Sequence, residues 1–233
     1  MIAVTFALPA ESAGFLRRLR NKSHTDKNDV RIIQGQLDDC KIKVLHTGVG
    51  ERICRQRMAT FLQEQQFNYL ISAGFAGALN DGLHVGDLLL AENFWTIKQS
   101  EVRSALSTLP IHTGSLLTVS SMIDSGTERE RIGQTTGANA LDMETEFIAR
   151  ACAEHAVPLL SLRVISDTPS EPFPAPGHIL FNIAKQRTNL AKLSVFFLQH
   201  PSRVPPLIQF ARRIAHARGT LGNALVRMIR AIK

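Results

Sequence analysis

Three acids stand where apolar runs break off. Glu11 follows MIAVTFALPA, Glu144 follows ALDM and precedes the helical spacing of TEFIARAC, and Asp167 closes PLLSLRVIS. A single acid at a helix start is commonly only a cap or a partner for the helix dipole, and Asp142, two residues before Glu144, reads that way. Three acids at three strand ends could instead divide acid, base and charge-stabilising work within one site. Two glycine turns accompany them: HTGVGERI carries Gly48 and Gly50, and SAGFAGAL carries Gly74 and Gly77. Such turns either tighten a corner between strand and helix or present backbone N–H groups to an anion or a sugar. The dinucleotide fingerprint is not met, because its third glycine would fall on Ile53, and no P-loop, GxSxG or HExxH occurs.

The elements that must position these groups alternate. IAVTFAL, the pair VRIIQGQ and KIKVLHT, FNYLISAG, VGDLLLAENF, SLLTVSS and PLLSLRVIS have strand patterns, while ESAGFLRRLR, ERICRQRMATFLQEQ and TEFIARACAEHAV have helical spacing. Thr127 and Glu130 form a capping box predicting a helix start near TERERIGQ. The alternation predicts an α/β domain with a largely buried sheet, whose ligands sit at the carboxyl ends of strands. After the proline-rich loop SEPFPAPGH, a candidate lid or side wall, the chain reads as helical to its end. Leu207, Ile208, Ala211, Ile214 and Ala215 share one face there, and Leu221, Leu225, Met228 and Ile232 share another.

At 233 residues the chain is read as one domain, 1–233, with a core over 1–170 and a basic helical extension over 171–233. Its 44% hydrophobic and 20% charged content is that of an ordinary globular protein. Cys40, Cys54 and Cys152 lack metal-ligand spacing and read as reduced cysteines of a cytoplasmic protein, with no zinc site expected. No acid follows Glu171, whereas ten Lys and Arg do, so the first 171 residues keep −3 of a total of +7. Such a tail is attracted to phosphates of lipid or nucleic acid. No aromatic stacking platform lies among its arginines, which makes nucleic acid the weaker partner.

GVGE, SAGFAGALNDGLHVGDLLLAE, ALDMETEFIARAC and LRVISDTP resemble, in order and spacing, the nucleoside phosphorylase and nucleosidase superfamily that includes methylthioadenosine/S-adenosylhomocysteine nucleosidase. The resemblance covers roughly residues 1–170 and implies a three-layer α/β sandwich around a mixed central sheet, with extra C-terminal helices, in a homodimer. It implies that Glu144 accepts hydrogen bonds from ribose hydroxyls with Met143 against the sugar. Asp167 would protonate or hydrogen-bond the purine at N7, with Ser166, Gly74 and Met122 beside the base, and Glu11 would activate the attacking water. Gly48, Gly50 and Phe75 would supply backbone near the site. No cofactor is implied.

Where phosphorylase members hold phosphate with an arginine and a serine, this chain has Ser72 and Phe75, which favours water over phosphate, although Arg52 remains a candidate anion ligand. Met122 and Ile123 are both candidates for stacking on the base. The last 60 residues look like the hopanoid-associated branch of the superfamily, in which an adenosylated lipid loses its adenine. That resemblance implies peripheral contact with an anionic inner membrane surface. Phosphorolysis, and a non-catalytic binding protein on the same fold, stay open as alternatives.

Overall fold

The computed structural model describes residues 1–28, 30–63, 66–96, 99–176, 179, 181–182, 186–188 and 190–233. In chain order the strands of the main sheet are β1 (Ile2–Phe6), β2 (Arg20–Lys27), β3 (Val30–Leu37), β4 (Cys40–His46), β5 (Tyr69–Ala78), β6 (Leu88–Ala91), β7 (Ile111–Gly114), β8 (Leu116–Thr118), β9 (Ala140–Asp142) and β10 (Leu159–Asp167), and two short strands, β11 (Phe181–Asn182) and β12 (Arg187–Thr188), pair separately. The helices are α1 (Pro9–Leu16), α2 (Glu51–Leu62), α3 (Gln99–Leu106), α4 (Gly126–Thr136), α5 (Thr145–Glu154), α6 (Leu190–Gln199) and α7 (Val204–Ile232).

The sheet order is β2-β3-β4-β1-β5-β10-β6-β7, and β9 joins β8 to β5. Strands β4, β1, β5 and β10 run parallel to one another, whereas β2/β3, β3/β4, β10/β6 and β5/β9 are antiparallel, so the sheet is mixed. The period-2 alternation of buried strands explains the two covering layers. Ile2, Val4 and Phe6 of β1 and Leu160, Leu162 and Val164 of β10 pack with α1, α3 and α7. Ala3 and Leu159 face the other way, onto Met58 and Phe61 of α2 and Ile148 and Cys152 of α5. The expected three-layer sandwich is thereby observed.

Most elements fall where their apolar spacing places them, but three differ. The sequence RNKSHTDK forms β2 although it has no apolar side and is exposed along nearly its whole length; backbone pairing with β3 holds it, together with side-chain bonds such as Asn21 to Gln36 and Arg31 to Asp26. Helix α4 starts two residues earlier than the Thr127–Glu130 box implies, because the Ser125 hydroxyl caps it by accepting from the Glu128 N–H at 3.3 Å. The ESAGFLRRLR pattern breaks at Leu16, and Arg20 already pairs in β2.

The two halves of the C-terminal helix α7 are covered differently. Leu221, Leu225, Met228 and Ile232 on α7 are fully buried against the sheet, and Gly222 meets Gly14 of α1 so closely that a Cβ there would lie 2.8 Å from the Gly14 carbonyl carbon. The first half of α7 is different: Val204 and Ile208 are exposed, as are Val195 and Leu198 of α6. No helix among the described residues is long and apolar enough to cross a membrane.

Candidate active site

The carboxyl ends of β1, β5 and β10 open into a cavity of about 280 Å³ whose lining includes Glu11, Met143, Glu144 and Asp167. Phe173, Phe210 and Ile214 form its apolar mouth, so the proline-rich loop does wall the site; residues 177 and 178 of that loop lie outside the described ones. Three acids separated by up to 156 positions in sequence thus share one hollow.

Glu11 sits in the first turn of α1, and its carboxylate accepts N–H bonds from Leu8 at 2.8 Å and Phe75 at 3.0 Å. Burial raises its pKa, against those two N–H groups and the nearby Arg163 charge. Gly74 makes the approach of Arg163 possible, since a Cβ at that position would lie 3.1 Å from Glu11 Oε1 and 3.2 Å from Arg163 Nη1. Glu11, Gly74, Phe75, Glu144 and Arg163 line a further recess of about 10 Å³, roughly the space of one water.

Glu144 occupies the N-cap position of α5 without capping it by its side chain, which turns into the cavity and accepts the Gly50 N–H at 3.1 Å. The φ of +89° at Gly50 lets the strand-to-helix corner aim that N–H at the acid. Burial, then the charge of Asp142, pushes the Glu144 pKa up to about 8. Asp142 has the structural task expected of it: its carboxylate accepts from the Thr145 N–H at 3.1 Å, the Thr118 hydroxyl at 2.8 Å and Arg163 at 2.9 Å.

Asp167 ends β10 and is buried. One of its oxygens accepts the Ser166 hydroxyl at 2.5 Å, and the other meets Arg129 Nη2 of α4 at 2.5 Å. Burial raises the Asp167 pKa, while Arg129 and Ser166 oppose that rise.

Of the remaining expected site residues, Met122, Met143, Ser166 and Phe75 line the cavity. Gly74 does not flank the base-side acid as expected; it lies beside Glu11, and Gly77 takes the place next to Asp167, because successive β5 residues face opposite sides of the sheet. Gly48, with φ of +76°, faces a neighbouring hollow containing Arg57 and Gln186 rather than this cavity. Arg52 is exposed and lines neither. Ser72 is buried and accepts from Arg163 at 2.7 Å. Ile123 contributes its carbonyl to Arg129.

Two buried arginines were missed by sequence reasoning. Arg163 carried a signal, a lone cation inside the apolar run PLLSLRVIS, where burying a charge requires partners. Arg129 carried none, because it stands in TERERIGQ among four other charged or hydroxyl residues, with only Ile132 apolar.

A mixed sheet covered on both faces, with its site at the ends of β1, β5 and β10, defines an α/β enzyme-type fold. The profile described as the phosphorylase superfamily matches residues 1–104 and 96–199, and the chain belongs to that family. It is 24% identical over 196 residues to the 5′-methylthioadenosine/S-adenosylhomocysteine nucleosidase of Staphylococcus aureus, spanning 72% of this chain and 86% of that one. Among solved structures it resembles the corresponding nucleosidase from S. pneumoniae bound to a transition-state inhibitor, with a TM-score of 0.73, 19% identity and 100% and 99% of the two chains covered. It also resembles the futalosine hydrolase of Helicobacter pylori, with a TM-score of 0.71, 16% identity and 98% and 97% covered.

Proposed function

We propose that the protein hydrolyses the N-glycosidic bond of an adenosine-type nucleoside and releases adenine. The observation that carries this reading is that Glu11, Glu144 and Asp167 line a single cavity, with Glu11 and Glu144 also sharing a small recess that Asp167 does not reach. Cleavage of such a bond builds positive charge on the sugar and negative charge on the departing base. Glu144 accepts from the ribose hydroxyls and, as a carboxylate, stabilises the sugar cation, with Met143 against the ring. Glu11 takes a proton from a water in the recess it shares with Arg163, whose Nη1 has no protein partner among the described residues. Asp167 holds the base on its N7 and 6-amino side.

The relatives bearing nucleosidase and hydrolase names support hydrolysis over phosphorolysis, as does Phe75 where a phosphate ligand is expected. A lipid-linked nucleoside is the finer substrate reading, and assembly as a homodimer belongs to it as an expectation. Exposed Val195 and Leu198 lie on α6, and exposed Val204 and Ile208 on α7, the helix that supplies Phe210 and Ile214 to the apolar mouth, in a segment that carries no acid after Glu171. Such a face suits an anionic bilayer.

Chromatography of free base released from adenosine, methylthioadenosine, S-adenosylhomocysteine and an adenosylated lipid, with and without phosphate, tests the reading. Adenine without phosphate supports it, and the preferred substrate decides the lipid question. Strict phosphate dependence moves the reaction to phosphorolysis, and no base release from any of them overturns an enzymatic role.

A further inference from the structure

The ion pair of Arg129 and Asp167 has no task in the chemistry just described, and a lone base-side acid would be a simpler proton donor. Arg129 is buried, with Nε fixed on the Ile123 carbonyl at 2.7 Å and Nη2 on Asp167 at 2.5 Å. Its Nη1 has only a 3.5 Å approach to the Ala78 carbonyl, too long for a good hydrogen bond. That same Nη1 lies 3.1 Å from where a Cβ of residue 77 would stand, and residue 77 is a glycine lining the cavity. The missing side chain lets Nη1 lie against Gly77 beside Asp167, and the guanidinium itself lines an adjoining hollow that shares Phe173 with the cavity.

A guanidinium beside a carboxylate offers one donor and one acceptor side by side. Adenine presents the complement, an acceptor at N7 and a donor at the 6-amino group, whereas a 6-oxopurine presents two acceptors. We propose that Arg129 is the leaving-group residue of this site: it donates to N7 of the purine and offsets the charge that the base acquires on departure, while Asp167 accepts from the 6-amino group. This rests on the hydrolytic reading above. The C1′–N9 electron pair goes to the purine, the water oxygen bonds to C1′, and the water proton passes to Glu11. The purine anion, held by Arg129, takes a proton from solvent on release, Glu11 returns its own, and one water is consumed in sum. An arginine remains charged at any pH the protein tolerates, so the stabilisation does not depend on a proton waiting on Asp167.

The test compares two substrates in the wild type, Arg129→Met and Arg129→Lys: the preferred adenine nucleoside, and p-nitrophenyl riboside, whose leaving group needs neither a proton nor a donor. Adenine release by Arg129→Met is expected to fall about 10²-fold, while nitrophenol release stays nearly unchanged and the lysine variant recovers part of the loss. The ratio of Arg129→Met to wild type should worsen toward alkaline pH, since Asp167 must then carry the proton alone. An unchanged rate of adenine release, an equal loss on both substrates, or a loss independent of pH would overturn the proposal with the hydrolytic reading intact. A wild-type protein that releases base from neither substrate would overturn that reading first.

Discussion

The two ends of the cavity match their charges differently. At the Glu144 end, the carboxyls of Glu11, Asp142 and Glu144 surround a single guanidinium, and Arg163 is committed to Asp142 at 2.9 Å. At the Asp167 end one carboxyl meets one guanidinium at 2.5 Å. The first end is over-supplied with negative charge and resists it by protonation; the second is balanced. In the proposed reaction the surplus faces the sugar, where positive charge develops, and the guanidinium faces the base, where negative charge develops. The asymmetry teaches that the fold sets carboxyls at one end and a guanidinium at the other, and that the field between them is complete only once Glu144 is ionised.

Removing charge from the Glu144 end should have the largest effects. Glu11→Gln is expected to lower kcat for base release about 10²–10⁴-fold, the usual worth of a general base. Glu144→Gln should cost about 10²–10³-fold, as for the loss of an electrostatic stabiliser. Both losses should appear equally with p-nitrophenyl riboside, because they act on the sugar side; a loss confined to purine substrates would erase the distinction between the two ends. Arg163→Met removes the counter-charge instead. It leaves Asp142 buried and unpaired beneath the start of α5, and is expected to reduce unfolding free energy by about 3–5 kcal/mol in denaturant titration.

Much of this site was legible before the fold. Glu11, Glu144 and Asp167 each interrupt an apolar run, and a carboxylate in such a place needs either a structural partner or a task. The sandwich was legible for the same reason, since buried strands and amphipathic helices carry their periods in the sequence. Strand β2 was not, because an exposed edge strand needs no apolar face and is held by its backbone pairing. Gly74 was assigned to the wrong acid because register along β5, which separates Gly74 from Gly77, depends on pairing with β10 rather than on local sequence. Arg129 stayed hidden because its burial follows from how α4 docks over Asp167, a tertiary fact with no local trace.

A smaller effect sharpens the comparison through pH. With its pKa pushed up to about 8, Glu144 is largely neutral in the free protein at neutral pH and becomes a carboxylate above it. If the anion is the form that stabilises the sugar cation, kcat/KM should climb through that region, and Glu144→Gln should flatten the limb. A limb that persists in the variant would move the titration to Glu11, whose carboxyl is also raised by burial.

The smallest effect concerns stability. An unfolded glutamate has a pKa near 4.3, so below that value Glu144 is protonated in both states and contributes nothing. Between that value and about 8 the unfolded chain has released a proton that the folded protein keeps, and stability falls as pH rises. The slope approaches about 1.4 kcal/mol per pH unit for a group acting alone, and neighbouring carboxyls that share the field reduce it. Glu144→Gln removes the penalty, so its Tm should match the wild type in acid and exceed it above neutrality, by about 2–4 °C for each kcal/mol relieved. A site that loses activity and gains stability from the same substitution holds its acid there for chemistry. A variant less stable at every pH would mean that the bond from the Gly50 N–H anchors an ionised Glu144, and the surplus of charge at that end would then be a scaffold feature rather than a device for the sugar.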